Sequence, residues 1–276
     1  MTVLDRYFAN PAALPAMPEI AQRLLREMER PDIGLQELSS VISRDQSLSM
    51  KMLRLANSSR YSPSRTISTL NDAAAFIGQS ALRDLALAAC VSGAFPNAVA
   101  GFDRLRFWRQ CMATAGHART LAQGCALDTD TAYLGGLVLR TGELLMWMAE
   151  PEKLAEAQKR AQLPDSLLES QRAVVDCSYP EVTAELARRW RFPEKLIEGL
   201  ATAADPLSAK PFSRLGAVLR LASVMSDAGD RGLPALATTL STQPELVERL
   251  KLDLEWLADH LAPWEALVSG VDQLLH

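Results

Sequence analysis

Histidine is scarce in this sequence of 276 residues, which contains only His117, His260 and His276. No two of them share a spacing typical of metal ligands, and none is followed by aspartate. The sequence also lacks the P-loop, dinucleotide-binding, zinc-protease and serine-hydrolase motifs. It therefore gives no support for the enzyme classes that depend on those motifs.

Long hydrophobic runs are missing as well. The longest candidate, residues 131–149, is interrupted by Arg140 and Glu143, so no membrane helix is predicted. The N-terminal sequence has an acid and a base within six residues and no apolar core of the kind found in export signals. No cysteine belongs to a C-x-x-C pair, which leaves zinc knuckles and thioredoxin-like sites without support. We therefore expect reduced, buried thiols and a cytoplasmic protein that makes no membrane contact.

Strong charge of either sign is absent, because 29 basic and 33 acidic residues give a net charge of −4. A mildly acidic chain repels nucleic-acid phosphate, so nucleic-acid binding is not expected as the main role. A basic cluster of Arg104, Arg106 and Arg109 contains Phe107 and Trp108 and provides a minor alternative. We expect instead that the two aromatic residues face inward and the arginines stay solvated.

The hydrophobic pattern that is present is helical almost throughout. Apolar residues recur at helical spacing, for example at Ile20, Leu24 and Met28, and strand-like alternation is not found. The sequence therefore predicts an all-α fold, a multi-helix bundle with an N-terminal helical subdomain and a C-terminal helical extension. Breaks rich in glycine and proline suggest helical regions that end near residues 96 and 211, followed by the extension over 212–276.

Several helix starts can be predicted from side chains that accept backbone N–H groups. Asp45 and Thr69 are expected N-caps, and Ser178-x-x-Glu181 and Thr242-x-x-Glu245 have the pattern of capping boxes. Long helical stretches are expected over about 103–126 and 129–149, and Pro193 is expected to open a further helix.

The order of motifs resembles that of the HDOD domain, a bacterial signalling relative of the HD metal-dependent phosphohydrolases. The resemblance covers about 14–211, and it implies a helical subdomain over about 14–96 and a degenerate HD-like subdomain over about 101–211, after an N-terminal extension over 1–13. It includes these segments: LPAMP (14–18), ISRD (42–45), LRLANSS (53–59), ISTL (67–70), IG (77–78), WRQC (108–111), GLVLRTG (136–142) and FP (192–193). The resemblance implies an HD-like helical fold and a role in signal transduction.

Active HD relatives hold divalent metal through a histidine, an adjacent His-Asp pair and later histidine or aspartate residues. By this resemblance the first histidine is replaced by Gln110 and the His-Asp pair by Leu139-Arg140. The later positions correspond to Tyr179 and Ala203-Ala204. Leucine and alanine have no lone pair, and arginine repels a cation. The resemblance therefore predicts no catalytic residue, no metal ligand and no cofactor, and it leaves these six positions as a candidate degenerate pocket.

The leading hypothesis is a non-catalytic regulator that acts through contact with signalling proteins of unknown identity, with homodimer formation also open. One alternative is a sensor that binds a small molecule or cyclic nucleotide in the vacated pocket, with Arg140 as counter-charge and Tyr179 as a wall. A further alternative is a metal-dependent phosphohydrolase. Arg54, Asn57 and Tyr61 form a candidate interaction surface, although capping and packing are the expected roles of these side chains.

Overall fold

The protein is all-α over the residues that the structure, a computed structural model, describes: 3–9, 14–28, 34–58, 61, 66–96, 99 and 101–275. After a short 3-10 helix (Val3–Tyr7), the α-helices in chain order are α1 (Glu19–Met28), α2 (Leu35–Ser43), α3 (Gln46–Ala56), α4 (Leu70–Ile77), α5 (Gln79–Ala94), α6 (Arg104–Gly124), α7 (Thr129–Val138), α8 (Thr141–Ala149), α9 (Pro151–Arg160), α10 (Leu167–Val175), α11 (Tyr179–Arg189), α12 (Glu194–Thr202), α13 (Arg214–Asp230), α14 (Ala235–Thr242), α15 (Pro244–Leu250), α16 (Leu254–His260), α17 (Trp264–Val268) and α18 (Val271–Leu275).

The helices divide into two compact units. The smaller unit contains residues 15–97 and 269–276, in which α5 packs against α1, α3 and α4. Leu24, Leu38, Ile42, Met52 and Leu82 form its fully buried centre. α18 packs on α3 and α5 within this unit.

The larger unit contains residues 1–14 and 98–268. α6 lies at its centre and packs against α7 and α13, which are its most extensive neighbours. Residues 212–268 therefore belong to the same unit as residues 98–211. The boundaries drawn from the sequence at residues 14, 96, 101 and 211 remain predictions about domains.

Three of the predicted helix starts are confirmed. The Asp45 carboxylate accepts the Leu48 N–H at 2.9 Å, and the Thr69 hydroxyl accepts the Asp72 N–H at 3.0 Å. Glu181 accepts the Ser178 N–H at 2.6 Å in the predicted capping box. These bonds satisfy N–H groups that a helix start leaves without intrahelical partners.

The capping box predicted at Thr242-x-x-Glu245 is wrong. Thr242 is the last residue of α14, and its hydroxyl lies 2.9 Å from the Thr238 carbonyl oxygen within that helix. The next helix starts at Pro244, after Gln243, which makes no side-chain cap. Proline is suited to the first helical turn because its fixed φ fits and its missing N–H is not needed there.

The helical stretch predicted over about 129–149 contains two helices, because the first ends at Val138 and the second starts at Thr141. The Thr141 hydroxyl donates to the Val138 carbonyl oxygen at 2.7 Å and so satisfies a group exposed by the break. The break places Arg140 between two helices instead of on one helical face.

No single helix within the described ranges has both the length and the apolar character needed to cross a membrane. α4 and α5 pass that test only as a pair, across a bend of 116°. Gly78 joins them with a φ of +92°, a conformation that glycine adopts without steric cost.

Candidate functional site

Arg140 lies in the break between α7 and α8 and is only 3% exposed. Thr183 of α11 fixes this break: its hydroxyl accepts the Gly142 N–H at 2.8 Å and lies 2.7 Å from the Leu139 carbonyl oxygen. α11 also approaches very closely, since a Cβ on Gly142 would lie 2.5 Å from the Tyr179 carbonyl oxygen. The backbone of Leu139 and Arg140 is therefore held against α11.

The Arg140 side chain forms a buried ion pair and an aromatic contact. Its Nη1 lies 3.8 Å from Oε2 of Glu143, and its Cζ lies 5.2 Å from the centre of the Tyr179 ring. Glu143 and Tyr179 are 5% and 2% exposed, so the whole group is removed from water. Such an ion pair needs both partners, because either charge alone is costly to bury.

Burial and neighbouring charges shift the pKa values of this group. Burial alone would lower the pKa of Arg140. Tyr179, Glu143 and Asp227 together raise that pKa by more than burial lowers it, so the guanidinium stays charged. Burial raises the pKa of Glu143 more than the positive charges of Arg140 and Arg106 lower it. Burial likewise raises the pKa of Tyr179. The site thus has a permanent cation of its own.

A second ion pair joins α6 to the end of α13. Nε and Nη2 of Arg106 both lie 2.7 Å from Oδ2 of Asp230, and the Gln110 amide donates to the same oxygen at 3.1 Å. The Ser226 hydroxyl donates to the Gln110 carbonyl oxygen at 3.0 Å. Gln110, which the resemblance aligns with a metal-binding histidine, therefore connects α6 to α13.

A third cluster connects α13 with the turn before α10. Nη2 of Arg220 lies 2.5 Å from Oδ1 of Asp165, and Asp227 accepts the Asp165 N–H at 3.1 Å. Asp227 also pairs with Arg231 at 3.3 Å, and Gln243 donates to Asp165 at 2.5 Å. These carboxylates accept hydrogen bonds from guanidinium and amide groups, so their negative charge is balanced without a metal ion.

A cleft of about 350 Å³ lies between α6, α8 and α9. It is lined by Gly101, Phe102, Asp103, Arg106, Phe107, Gln110, Glu143, Trp147, Ala155, Gln158 and Lys159. Glu143 and Trp147 are both buried, and a hydrogen bond from the Trp147 side chain opposes the rise that burial causes in the pKa of the Glu143 carboxyl. The cleft is thus adjacent to the Arg140 ion pair but has its own polar groups.

The six residues predicted to form a degenerate pocket are only partly brought together. Arg140 contacts Tyr179 and follows Leu139, whereas Gln110 lines the neighbouring cleft. Ala203 is buried and Ala204 half-buried at the end of α12, whose main contacts run to α11, α13 and α7.

The metal that the HD relatives hold does not fit the residues present here. At the two adjacent central positions, Leu139 has no donor atom and Arg140 has a positive charge. Across the described ranges, no three His, Cys, Asp or Glu side chains are grouped so that they could hold a metal ion. His117 lies seven residues beyond Gln110 on α6, is 2% exposed and lines a separate, largely apolar cavity of about 560 Å³.

The aromatic residues of the basic cluster face inward as predicted, because Phe107 and Trp108 are 3% and 0% exposed. Arg109 is exposed, but Arg106 differs from the prediction through its ion pair with Asp230. Burial lowers the pKa of Arg104. The arginines therefore do not form one solvated patch.

The candidate interaction surface on α3 has one residue with a clear structural role. The Asn57 amide donates to the Leu53 and Ile67 carbonyl oxygens at 2.8 and 2.7 Å, and its oxygen accepts the Ile67 N–H at 2.8 Å. Arg54 is exposed, Tyr61 is half-buried, and Ser59 of the LRLANSS motif lies outside the described residues.

Sequence reasoning missed the acidic partners of the site. In the sequence, Glu143 stands out only as an interruption of the apolar run, and Asp165, Asp227 and Asp230 belong to no recognisable motif. The signal at Glu143 was its position three residues after Arg140 within that run, which is the spacing of neighbours on a helix. The other three carboxylates come from distant parts of the chain.

A family model described as "HDOD domain" matches residues 14–206. A candidate phosphohydrolase from Shewanella amazonensis SB2B has a similar structure, with 27% identity, 99% of this chain and 98% of that chain covered, and a TM-score of 0.77. An HDOD domain protein of unknown function from Geobacter sulfurreducens has 20% identity, coverage of 98% and 97%, and a TM-score of 0.78. The similarity to the Geobacter protein shows that the two chains share an all-helical fold.

An uncharacterized protein from Treponema pallidum (strain Nichols) is 28% identical over 163 residues. The match covers 57% of this chain but only 31% of the Treponema protein. The chain thus corresponds to less than a third of that relative.

Proposed function

Since this chain belongs to the HDOD domain family, we propose that it is a non-catalytic regulator of bacterial signal transduction that acts through contacts with other proteins. The observation that supports the proposal is the buried ion pair between Arg140 and Glu143. HD relatives place divalent metal at this point, whereas this chain supplies a cation from its own side chain. A fixed guanidinium cannot generate the metal-bound hydroxide on which that hydrolysis depends.

A regulator of this kind needs an exposed surface for its partner, and the exposed side of α3 is our candidate. Met50 is 57% exposed, so it offers apolar area to a partner, and Arg54 follows it by one helical turn. Asn57 is engaged in hydrogen bonds to Leu53 and Ile67, so we assign it to the support of this surface.

Affinity capture from an extract of the source organism tests this surface. We expect the wild-type protein to retain a specific partner at near-stoichiometric amounts. Met50→Glu combined with Arg54→Glu reverses charge and removes apolar area, and we expect retention to fall at least about tenfold. Gln36→Glu on α2 is the control for added negative charge and should retain the partner fully. Capture of a second copy of this chain would identify the partner as a homodimer.

The proposal fails if the wild-type protein retains no specific partner, or if the double variant retains it as well as the control does. Circular dichroism of each variant establishes that the helices are intact.

A metal-dependent phosphohydrolase is the second candidate, because the Shewanella protein with 27% identity is named a candidate phosphohydrolase. Leu139 and Arg140 oppose it, since neither can bind a cation. The sensor alternative no longer depends on the six predicted residues as a group, because only Gln110 among them lines the cleft.

A further inference from the structure

A second cavity, largely apolar and of about 560 Å³, lies between α6, the end of α13, the start of α14 and α17. All of these elements belong to the larger unit. His117 of α6 is the most buried of the lining residues, and the turns before α14 and α17 supply most of the apolar walls. The volume is within the range of sites that hold small molecules, about 300 to 1,000 Å³.

The wall that α17 contributes is already in place in the folded chain. A Cβ on Gly229 of α13 would lie 2.7 Å from Cε3 of Trp264, so the indole ring occupies the space of a side chain at position 229. Gly116 of α6 is filled in the same way by Leu267 of α17. A ligand therefore meets a formed cavity, as is usual for small-molecule sites.

His117 brings a hydrogen-bonding group to this apolar surface. The residue is 2% exposed, and its Nδ1 is enclosed without a hydrogen-bond partner among the described residues. Nδ1 lies beside the ring atom that joins the side chain, so the part of the ring that reaches the cavity wall is the distal edge with Nε2. A ligand can therefore form one hydrogen bond here, at Nε2.

The state of the imidazole selects the group that it binds. Burial lowers the pKa of His117 to about 4, so the ring is neutral near pH 7. A neutral imidazole has one donor and one acceptor nitrogen, and which of the two is Nε2 depends on the tautomer. A hydroxyl group pairs with Nε2 in either tautomer, because it both donates and accepts.

The charges around the cavity disfavour an ionic ligand. Besides His117, Glu265 is the one titratable residue among the described residues that line the cavity, and it is exposed. A carboxylate bound at His117 would be buried without a cation, which is costly. An ammonium group paired with Glu265 would stay in water, where such pairs contribute only about 0–1 kcal/mol.

We propose that this cavity binds an uncharged aromatic alcohol, with its ring against Trp264 and the apolar walls and its hydroxyl group hydrogen-bonded to Nε2 of His117. An aromatic ring buries a large apolar area, and Trp264 provides an aromatic surface for it. This inference goes beyond the proposed function, because no protein partner takes part.

Equilibrium dialysis of the full chain against four naphthalene derivatives at pH 7.5 tests the proposal. We expect β-naphthol to bind with a stoichiometry of one and a Kd below about 1 mM. Naphthalene lacks the hydroxyl group and should bind about tenfold more weakly. β-Naphthoate and β-naphthylmethylammonium are charged at this pH and should bind more weakly than naphthalene.

The variant His117→Phe tests the hydrogen bond, because it keeps a ring and removes both nitrogens. It should weaken β-naphthol binding about tenfold and leave naphthalene binding unchanged. A purely structural role of His117 would instead change the binding of both compounds by the same factor.

A second pair of variants locates the site independently of His117. Ala235→Phe adds bulk at the cavity wall and should abolish binding of β-naphthol and naphthalene. Ala237→Phe makes the same change two residues later on α14, at an exposed position outside the lining, and should bind both as the wild-type protein does. Circular dichroism establishes that each variant is folded.

The proposal is overturned if β-naphthol does not bind at a protein concentration of about 1 mM, which would mean that water alone occupies the cavity. Equal binding of β-naphthol and naphthalene, or of β-naphthol and either ion, also contradicts it. So does unchanged β-naphthol binding by Ala235→Phe or His117→Phe. Partner capture is measured separately, so failure here leaves the regulatory proposal to its own test.

Discussion

At the scale of single residues, the Arg140 guanidinium and the Glu143 carboxylate decide what the centre of the larger unit can do. Both side chains are at most 6% exposed, and each is the other's counter-ion. Removal of one partner from a buried ion pair costs about 3–5 kcal/mol, because the remaining charge is left in an apolar environment.

Arg140→Met is therefore expected to lower the free energy of unfolding by about 3–5 kcal/mol, as measured by urea denaturation. Arg140→Met combined with Glu143→Leu should recover most of that loss, because no unpaired charge then remains. Arg188→Met removes an exposed arginine that is also paired with a glutamate three residues away, and should cost less than about 1 kcal/mol. Equal costs at positions 140 and 188 would contradict a buried ion pair.

His117 links the stability of the fold to pH. Burial lowers its pKa from 6.5 to about 4, so the unfolded chain binds a proton at pH values where the folded chain does not. The stability that comes from keeping His117 neutral is therefore fully present above pH 6.5 and is lost as the pH falls from 6.5 to about 4.

Between about pH 7.5 and about pH 5, we expect this residue to account for a loss of about 2 kcal/mol in the free energy of unfolding. His117→Leu should remove that part of the pH dependence and leave the part that comes from carboxylates. Urea denaturation of both proteins at the two pH values gives the difference. Identical pH profiles would show that His117 is not buried as a neutral imidazole.

At the scale of helices, close backbone approach fixes the site. α8 contacts α11 at Gly142, where a Cβ would lie 2.5 Å from the Tyr179 carbonyl oxygen and 2.6 Å from the Thr183 nitrogen. These are backbone atoms, so they cannot turn away as a flexible side chain could. The contact positions Leu139 and Arg140 through the two hydrogen bonds of Thr183.

Gly142→Ala is expected to cost about 1–3 kcal/mol or more in stability, because the added methyl group has no space. Gly93→Ala, near the end of α5, meets nothing within 4 Å and should stabilise the helix by up to about 1 kcal/mol. Thermal unfolding followed by circular dichroism measures both. If Gly142→Ala melts at or above the wild-type temperature, the described contact between α8 and α11 is wrong.

The sequence predicted the elements better than it predicted their junctions. Helical periodicity and the caps at Asp45, Thr69 and Ser178 depend on residues within four positions of one another. Such local features can be predicted from the sequence. The break after Val138 depends on Thr183, which lies more than forty residues away. The box predicted at Thr242 failed because Pro244 starts a helix just after it.

Only part of the site could be predicted from the sequence. Gln110, Leu139, Arg140 and Tyr179 were identified through the family resemblance, and Arg140 does contact Tyr179. The carboxylates that neutralise the arginines come from α8, α13 and the turn before α10, and no local pattern indicates such pairing. The cleft was missed for the same reason, because three helices contribute its walls.

At the scale of the whole molecule, the chain is an all-α member of the HDOD domain family in which the centre of an HD-like fold is filled by ion pairs. Function in such a molecule is carried by its surfaces instead of by a metal. It requires that the polar centre neither binds a divalent cation tightly nor hydrolyses phosphate esters.

The most direct test is a titration of the purified protein with Mn²⁺ and Fe²⁺, combined with a phosphodiesterase assay on an aryl phosphodiester before and after treatment with a chelator. The account predicts that dialysis removes the added metal, that substrate is not turned over, and that the chelator changes neither result. A stoichiometric metal ion that survives dialysis, together with turnover that the chelator abolishes, would contradict it.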